Sequence, residues 1–173
     1  MDDTNSAQSR PLKNSYWVIP GRLLAGEYPG SWDSKNARLR LQGMLSMGFT
    51  RFIDLTTQAD GLEPYEQVLH DISGGEAKRL SFGIPDMDVP ADRQHMALIL
   101  DSIDRELSDG RMVYVHCWGG IGRTGTVIGC WLKRHGRDDL RDLWKTNPKS
   151  SHYPNSPQTD DQQAFIDALV EPR

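Results

Sequence analysis

Apolar and polar positions along this chain form short segments with strand character, separated by longer segments with helical spacing. Apolar, β-branched stretches at 50–57, 77–82 and 112–116 predict strands. Apolar residues recur at helical spacing from Met96 to Leu107, which predicts a helix over 91–108 that ends before Gly110. Further helices are predicted over 34–47, just after Pro64, over 124–134, before Pro148, and over 160–170.

The N-terminal part has a different pattern. Two short apolar stretches within 15–30 are separated by Pro20-Gly21, which indicates a small edge hairpin or two separate strands. Residues 1–14 are mostly polar and predict a disordered arm, and residues 15–173 are expected to form a single domain. Alternating strands and helices predict an α/β three-layer sandwich, with a central, mainly parallel sheet of four or five strands flanked by helices.

Composition and charge indicate which binding partners and which cellular location to expect. The net charge of −4 gives no basic footprint for nucleic acid or for an anionic membrane. No apolar stretch long enough to span a bilayer occurs, and the N-terminal residues do not resemble a secretory signal. A cytoplasmic protein without nucleic-acid partners or membrane insertion is expected, and its oligomeric state is left open.

The segment HCWGGIGRTG, residues 116–125, lies between a predicted strand and the next helix. Backbone N–H groups of a glycine-rich turn before a helix bind anions, so a phosphate site is predicted from Trp118, Gly119, Gly120, Ile121, Gly122 and Arg123. A helix N-terminus and a nearby cation favour the thiolate form of Cys117. The guanidinium of Arg123 can bind two phosphate oxygens, and Thr124 can donate a hydrogen bond to the sulfur. The segment therefore predicts phosphoryl transfer to Cys117.

The pattern H-C-x5-R-[ST] between strand and helix resembles the signature of the cysteine-dependent protein tyrosine phosphatase superfamily. The longer segment is most similar to small dual-specificity members, including bacterial ones. The resemblance implies a PTP-like fold and phosphomonoester hydrolysis through a phosphocysteine at Cys117, without a cofactor. No metal site is predicted, because the other histidines, His70, His95, His135 and His152, lack the spacing of metal ligands. His116 is expected to fix the loop and tune the thiol rather than to act as a base. The alternative is a buried strand cysteine beside an unrelated glycine-rich turn.

The reaction also requires an acid for the leaving oxygen. The segment FGIPDMDVPAD, residues 82–92, resembles the acid loop of that superfamily, with Asp86 at the acid position although Gly83 replaces the usual proline. Asp88 is the alternative acid, whereas Asp92 is expected to cap the following helix.

A glutamine that positions the hydrolytic water is suggested by another resemblance. In SPQTDDQQAFIDAL, Gln162 lies three residues before Phe165, similar to the glutamine one helix turn before an aromatic residue in the superfamily. Gln158 and Gln163 are alternatives, and so is a surface amide with no role.

The loops after three predicted strands, at 55–64, 84–90 and 117–123, are expected to meet at one rim of the sheet. Candidates for pocket walls there are Asp54, Glu63, Tyr65 and Trp118, each with a purely structural alternative. The resemblance also bears on the substrate: phosphoinositide-selective members of the superfamily tend to carry lysines in this turn, and positions 118–122 carry none, so phosphorylated proteins or peptides are expected as substrates. A phosphoinositide or inositol phosphate phosphatase and a phospho-binding pseudophosphatase are the alternatives.

The second cysteine, Cys130, is expected to lie too far along the helix for a disulfide with Cys117. It is therefore expected in the core, and a redox role is the alternative.

Overall fold

The computed structural model of the protein describes residues 9–170. Its strands are β1 (Ser15–Ile19), β2 (Leu23–Gly26), β3 (Phe49–Asp54), β4 (Lys78–Ser81) and β5 (Met112–His116). They form one sheet in the order β1-β2-β5-β3-β4. Only β1 is antiparallel to its neighbour, and the other four strands run parallel. The predicted mainly parallel sheet and the N-terminal edge hairpin are therefore confirmed.

The helices are α1 (Ser34–Ser46), α2 (Glu66–Ser73), α3 (Arg93–Ser108), α4 (Gly122–Arg134), α5 (Leu140–Lys145) and α6 (Asp160–Asp167). Two short 3₁₀ turns, Gln58–Asp60 and Pro148–Ser151, lie between them. None of the helices in the described range 9–170 combines the length and the apolar character that crossing a bilayer requires.

Two separate hydrophobic clusters make the sandwich three layers thick. Successive side chains of a strand point to opposite faces, so Val113 and Val115 of β5 face one cluster and Tyr114 faces the other. The first cluster contains side chains from α3, α4, α5 and α6, and the second contains side chains from α1 and α2. The central strand β5 is buried at every position except Met112, as its apolar sequence predicts.

The expectation of a disordered arm over residues 1–14 is wrong for residues 9–14, while residues 1–8 lie outside the described residues. Leu12 is only 3% exposed and packs with α1 and α2. Nη1 of Arg10 donates hydrogen bonds to the carbonyls of Ser15 and Thr146. One apolar side chain and one arginine therefore attach this polar segment to the domain.

Candidate active site

The phosphate loop, residues 117–123, connects the central strand β5 to helix α4. Cys117 begins the loop and is 3% exposed. Its Sγ accepts a hydrogen bond from the backbone N–H of Gly120 at 3.3 Å. Gly120 has a φ of +75°, and a Cβ there would collide with the backbone of Gly26. Glycine is thus required at this position for the turn that directs an N–H group at the sulfur.

The other loop residues have different surroundings. Ile121 is 6% exposed and precedes the first residue of α4, Gly122. The carbonyl of Gly119 accepts a hydrogen bond from Nζ of Lys149 at 2.8 Å. Trp118 is 56% exposed, so the loop presents this side chain at the protein surface.

A second segment supports the loop from behind. The hydroxyl of Ser156 donates to the carbonyl of Ile121 at 2.7 Å. Gly125 in the first turn of α4 leaves room for this contact, since a Cβ there would collide with Oγ of Ser156. The start of α4 is therefore held in place by residues near the C-terminus of the chain.

Arg123 is almost fully buried and fixed by three hydrogen bonds. Its two terminal nitrogens donate to the two carboxylate oxygens of Asp60 at 2.9 and 2.8 Å, and Nη1 also donates to the carbonyl of Ile84 at 3.0 Å. Burial acts to lower the pKa of Arg123, but the hydrogen bond to Asp60 and the electrostatic interactions with Cys117 and Asp60 outweigh it and raise that pKa. The guanidinium therefore stays charged in one orientation.

Two buried hydrogen-bond donors at the phosphate loop lack an acceptor among the described residues. Nε of Arg123 and the hydroxyl of Thr124 are buried and have no hydrogen-bond partner among residues 9–170. Buried donors are normally satisfied, so both groups are available to a bound phosphate or to the sulfur.

Asp60 was not among the residues that the sequence predicted for the site. It lies on the 3₁₀ turn after β3, where the N–H and hydroxyl of Thr57 donate to its Oδ2 at 2.7 and 3.2 Å. Burial of the side chain disfavours the charged carboxylate, but the bonds from Arg123 and Thr57 prevail and lower the pKa of Asp60. The sequence does contain a signal for Asp60: the Thr-x-x-Asp spacing of Thr57 and Asp60 is typical of a capping turn.

The acid loop, residues 82–92, brings one of its three aspartates to the phosphate loop. Oδ1 of Asp86 lies 3.1 Å from Nη2 of Arg123, and the Asp86 side chain is 55% exposed. The carboxylate of Asp88 instead accepts from the N–H of Val89 at 2.7 Å. Asp92 caps α3 by accepting from the N–H of His95, as predicted. The expected meeting of the loops after β3, β4 and β5 is confirmed, since Asp60 and Asp86 both reach Arg123.

Gln162 joins the acid loop to α6. It is fully buried, and its Oε1 accepts from the N–H groups of Gln158 and Thr159, both at 3.1 Å. Its Nε2 donates to the carbonyl of Asp88 at 3.1 Å. The alternative of a surface amide is wrong for Gln162, whose bonds hold the acid loop. Gln163 is exposed and bonds to Asp167 on its own helix.

His116 lies under the loop with no exposed surface. Its Nδ1 is 3.1 Å from the carbonyl of Cys117, and its Nε2 is 2.7 Å from the hydroxyl of Tyr65. We assign the proton to Nδ1, because this tautomer donates to the carbonyl and accepts from the hydroxyl. Burial lowers the pKa of His116 although Asp54 opposes the shift, so the ring is neutral. This geometry suits a group that fixes the loop, not a base.

The four candidates for pocket walls divide into two pairs. Asp54 and Tyr65 are buried beneath the loop, where Asp54 binds Thr56 and Arg79. Glu63 and Trp118 line a groove of about 470 Å³ beside the phosphate loop. We call it the aromatic groove, because Trp32, Trp118 and Tyr153 line it.

Neither a metal centre nor a disulfide is formed within the described residues. No group of three or more His, Cys, Asp or Glu side chains is placed there to hold a metal ion. Cys117 and Cys130 form no disulfide, and Cys130 is buried in the cluster that contains side chains of α3 and α4, as predicted.

Comparison with known families agrees with this architecture. The model of the family PTP-SAK, described as the DSP-PTPase phosphatase domain of Swiss Army Knife proteins, matches residues 12–165. The fold and the loop thus define a phosphatase domain of the dual-specificity and tyrosine phosphatase superfamily. The chain belongs to the PTP-SAK family.

Individual relatives share only low sequence identity with this chain. Over 125 residues the chain is 26% identical to 067L of Invertebrate iridescent virus 3, which carries the name of a tyrosine phosphatase; the match covers 70% of this chain and 46% of 067L. The chain spans less than half the length of the curated relatives that it matches. The structure of Tk-PTP in its active form is similar with a TM-score of 0.68 and 23% identity, over 90% of this chain and 95% of that one. PTPMT1 in complex with PI(5)P has a TM-score of 0.60 and 18% identity, over 88% of this chain and 94% of that one.

Proposed function

We propose that this domain hydrolyses phosphomonoesters of phosphorylated proteins, with tyrosine or dual specificity, through a phosphocysteine at Cys117. The observation that carries the proposal is the arrangement around Arg123. Its fixed guanidinium and the sulfur of Cys117 belong to one short loop, and the carboxylate of Asp86 lies 3.1 Å from Nη2 of Arg123. A nucleophile, a phosphate-binding cation and an acid are therefore close together.

In the first step the loop N–H groups and Arg123 bind the phosphate oxygens, and Sγ of Cys117 attacks phosphorus. The S–P bond forms as the bond from phosphorus to the leaving oxygen breaks. Asp86, in its protonated form, gives its proton to that oxygen. The dephosphorylated side chain leaves, and the phosphoryl group stays on Cys117.

In the second step water attacks the phosphocysteine and the S–P bond breaks. Asp86, now a carboxylate, accepts the proton from the water. The buried hydroxyl of Thr124 donates a hydrogen bond to the departing sulfur, which stabilises the thiolate. Inorganic phosphate is released, and Cys117 is ready for another cycle.

A protein substrate is favoured over an inositol phosphate because positions 118–122 carry no lysine to bind additional phosphates. The alternative substrate class has one observation in its favour: PTPMT1, which has a similar fold, binds PI(5)P in its crystal structure. Comparison of kcat/KM for phosphopeptides and for inositol phosphates separates the two.

The nucleophile is tested with Cys117→Ser, assayed on p-nitrophenyl phosphate. We expect turnover to fall by at least about 10³-fold, since the first covalent step is lost. Cys130→Ala is the matched control, because Cys130 is the other buried cysteine and lies outside the loop. Retention of activity in Cys117→Ser would disprove the mechanism.

The acid is tested with Asp86→Ala against Asp88→Ala. Asp86→Ala is expected to slow turnover by about 10²–10⁴-fold while vanadate still binds, because only the proton transfer is lost. Asp88→Ala is expected to have a much smaller effect. The reverse order of the two variants would assign the acid to Asp88.

A further inference from the structure

The aromatic groove concentrates exposed apolar side chains at the mouth of the site. Trp32 is 73% exposed, Trp118 is 56% exposed and Tyr153 is 48% exposed. They come from three separate segments: the loop before α1, the phosphate loop and the chain after the second 3₁₀ turn. Such a concentration of exposed aromatic rings is typical of a binding surface.

The groove is rigidly connected to the phosphate loop. The N–H of Tyr28 donates to the carbonyl of Trp118 at 2.9 Å, and its hydroxyl donates to the carbonyl of Glu63 at 2.7 Å. Lys149 bonds to the carbonyl of Gly119 at 2.8 Å. A ligand held in the groove is therefore held at a fixed position relative to Cys117.

The four charged side chains of the groove sum to zero, but their charges are unevenly placed. Its two cations, Arg40 and Lys149, both pair with Glu27, at 3.3 and 3.2 Å. Glu63 is exposed, and within residues 9–170 no cation pairs with its carboxylate. Beside Glu63, charge complementarity therefore favours a basic ligand group.

We propose that the aromatic groove binds the peptide segment beside the phosphorylated residue and selects a large apolar side chain together with a lysine or arginine. The apolar side chain packs against Trp32 and Tyr153, and the basic side chain pairs with Glu63. This proposal rests on the proposed function and specifies its substrates. A membrane containing inositol phospholipids would also meet the exposed rings, but its anionic headgroups would face Glu63, so the peptide is favoured.

The test compares kcat/KM for two phosphotyrosine peptides, one with phenylalanine and arginine beside the phosphotyrosine and one with glycine and glutamate. We expect the wild type to prefer the first peptide about tenfold. We divide kcat/KM for each peptide by kcat/KM for p-nitrophenyl phosphate. Trp32→Ala should lower this ratio about fivefold for the first peptide, the size of one aromatic contact. Glu63→Lys should remove the preference for arginine, most clearly at low ionic strength.

Leu39→Ala is the matched control, because Leu39 is 60% exposed on α1 but does not line the groove. Its preference should equal that of the wild type. Affinities of the two peptides for the Cys117→Ser variant are measured in parallel, with and without Trp32→Ala. These affinities show whether the groove selects between the peptides, independently of whether the domain turns them over.

Equal kcat/KM and equal affinity for the two peptides would overturn the groove proposal and leave the proposed function standing. Loss of turnover on every substrate, with selective peptide binding retained, would instead contradict the proposed function. Phosphatidylcholine vesicles containing a phosphatidylinositol monophosphate form the third substrate. Faster turnover of these vesicles than of either peptide, dependent on Trp32, would assign the groove to a membrane and overturn the proposal.

Discussion

Replacement of Asp60 by asparagine should weaken the fold, because the carboxylate of Asp60 holds Arg123. The two contacts of 2.9 and 2.8 Å join side chains that are 1% and 2% exposed. Asparagine keeps one acceptor oxygen but loses the charge and one hydrogen bond, and a hydrogen bond to a charged group contributes about 1.5–3 kcal/mol. Since Arg123 keeps Ile84 and Asp86 as partners, we expect a loss of about 3 kcal/mol, the lower end for breaking a buried pair.

Thermal unfolding at several pH values measures this loss. For a chain of this size about 3 kcal/mol lowers Tm by roughly 6–12 °C. Bonds from Arg123 and Thr57 lower the pKa of Asp60 in the folded state. The stabilising contribution is therefore present above the pKa of aspartate in the unfolded chain, about 3.9, and is lost as the pH falls through the lower folded value. The difference between wild type and Asp60→Asn should be complete at neutral pH and shrink below about pH 4.

Asp71→Asn is the control, since it removes the same charge from an exposed carboxylate that accepts only surface contacts on α2. It should stay within about 0.5 kcal/mol of the wild type. The reasoning is refuted if Asp60→Asn unfolds like Asp71→Asn at neutral pH, or if its deficit does not shrink in acid.

Two further variants test the supports of the loops. Gln162→Ala removes three hydrogen bonds, including the one to Asp88, and should cost about 2 kcal/mol in denaturant unfolding and lower kcat, whereas Gln163→Ala should change neither. Equal behaviour of the two variants would contradict the anchoring role. Tyr65→Phe leaves Nε2 of His116 buried without its donor and should cost about 1–3 kcal/mol in the same measurement. An unchanged midpoint would show that this bond contributes nothing.

The sheet and the phosphate loop were predictable because local rules specify them. The apolar run of β5 and the glycines around Cys117 are strong local signals for a strand and for a tight turn, and Gly120 shows why, since a side chain there would strike Gly26. The helix boundaries were less accurate: α4 begins at Gly122 instead of 124, because the N–H of Gly125 already donates to the carbonyl of Ile121 and so extends the helical bonding into the loop.

Long-range contacts at the site were not predictable from local pattern. Asp60 reaches Arg123 across 63 residues of sequence, and only the packed fold brings the 3₁₀ turn after β3 to the loop. Gln162 matched a superfamily pattern, but its bond to the carbonyl of Asp88 spans 74 residues and could not be inferred from that pattern. The tethering of residues 9–14 likewise depends on a distant partner, the carbonyl of Thr146.

The covalent intermediate gives the most direct test of the account. Thr124→Ala removes the hydroxyl that assists departure of the sulfur, so the second step slows and the phosphocysteine accumulates. The variant is mixed with p-nitrophenyl phosphate, quenched in acid within one turnover, digested and analysed by mass spectrometry. We predict one added phosphoryl group on the peptide that contains Cys117. Release of p-nitrophenol with no phosphoryl group on that peptide, or with the group on another residue, would contradict the central claim.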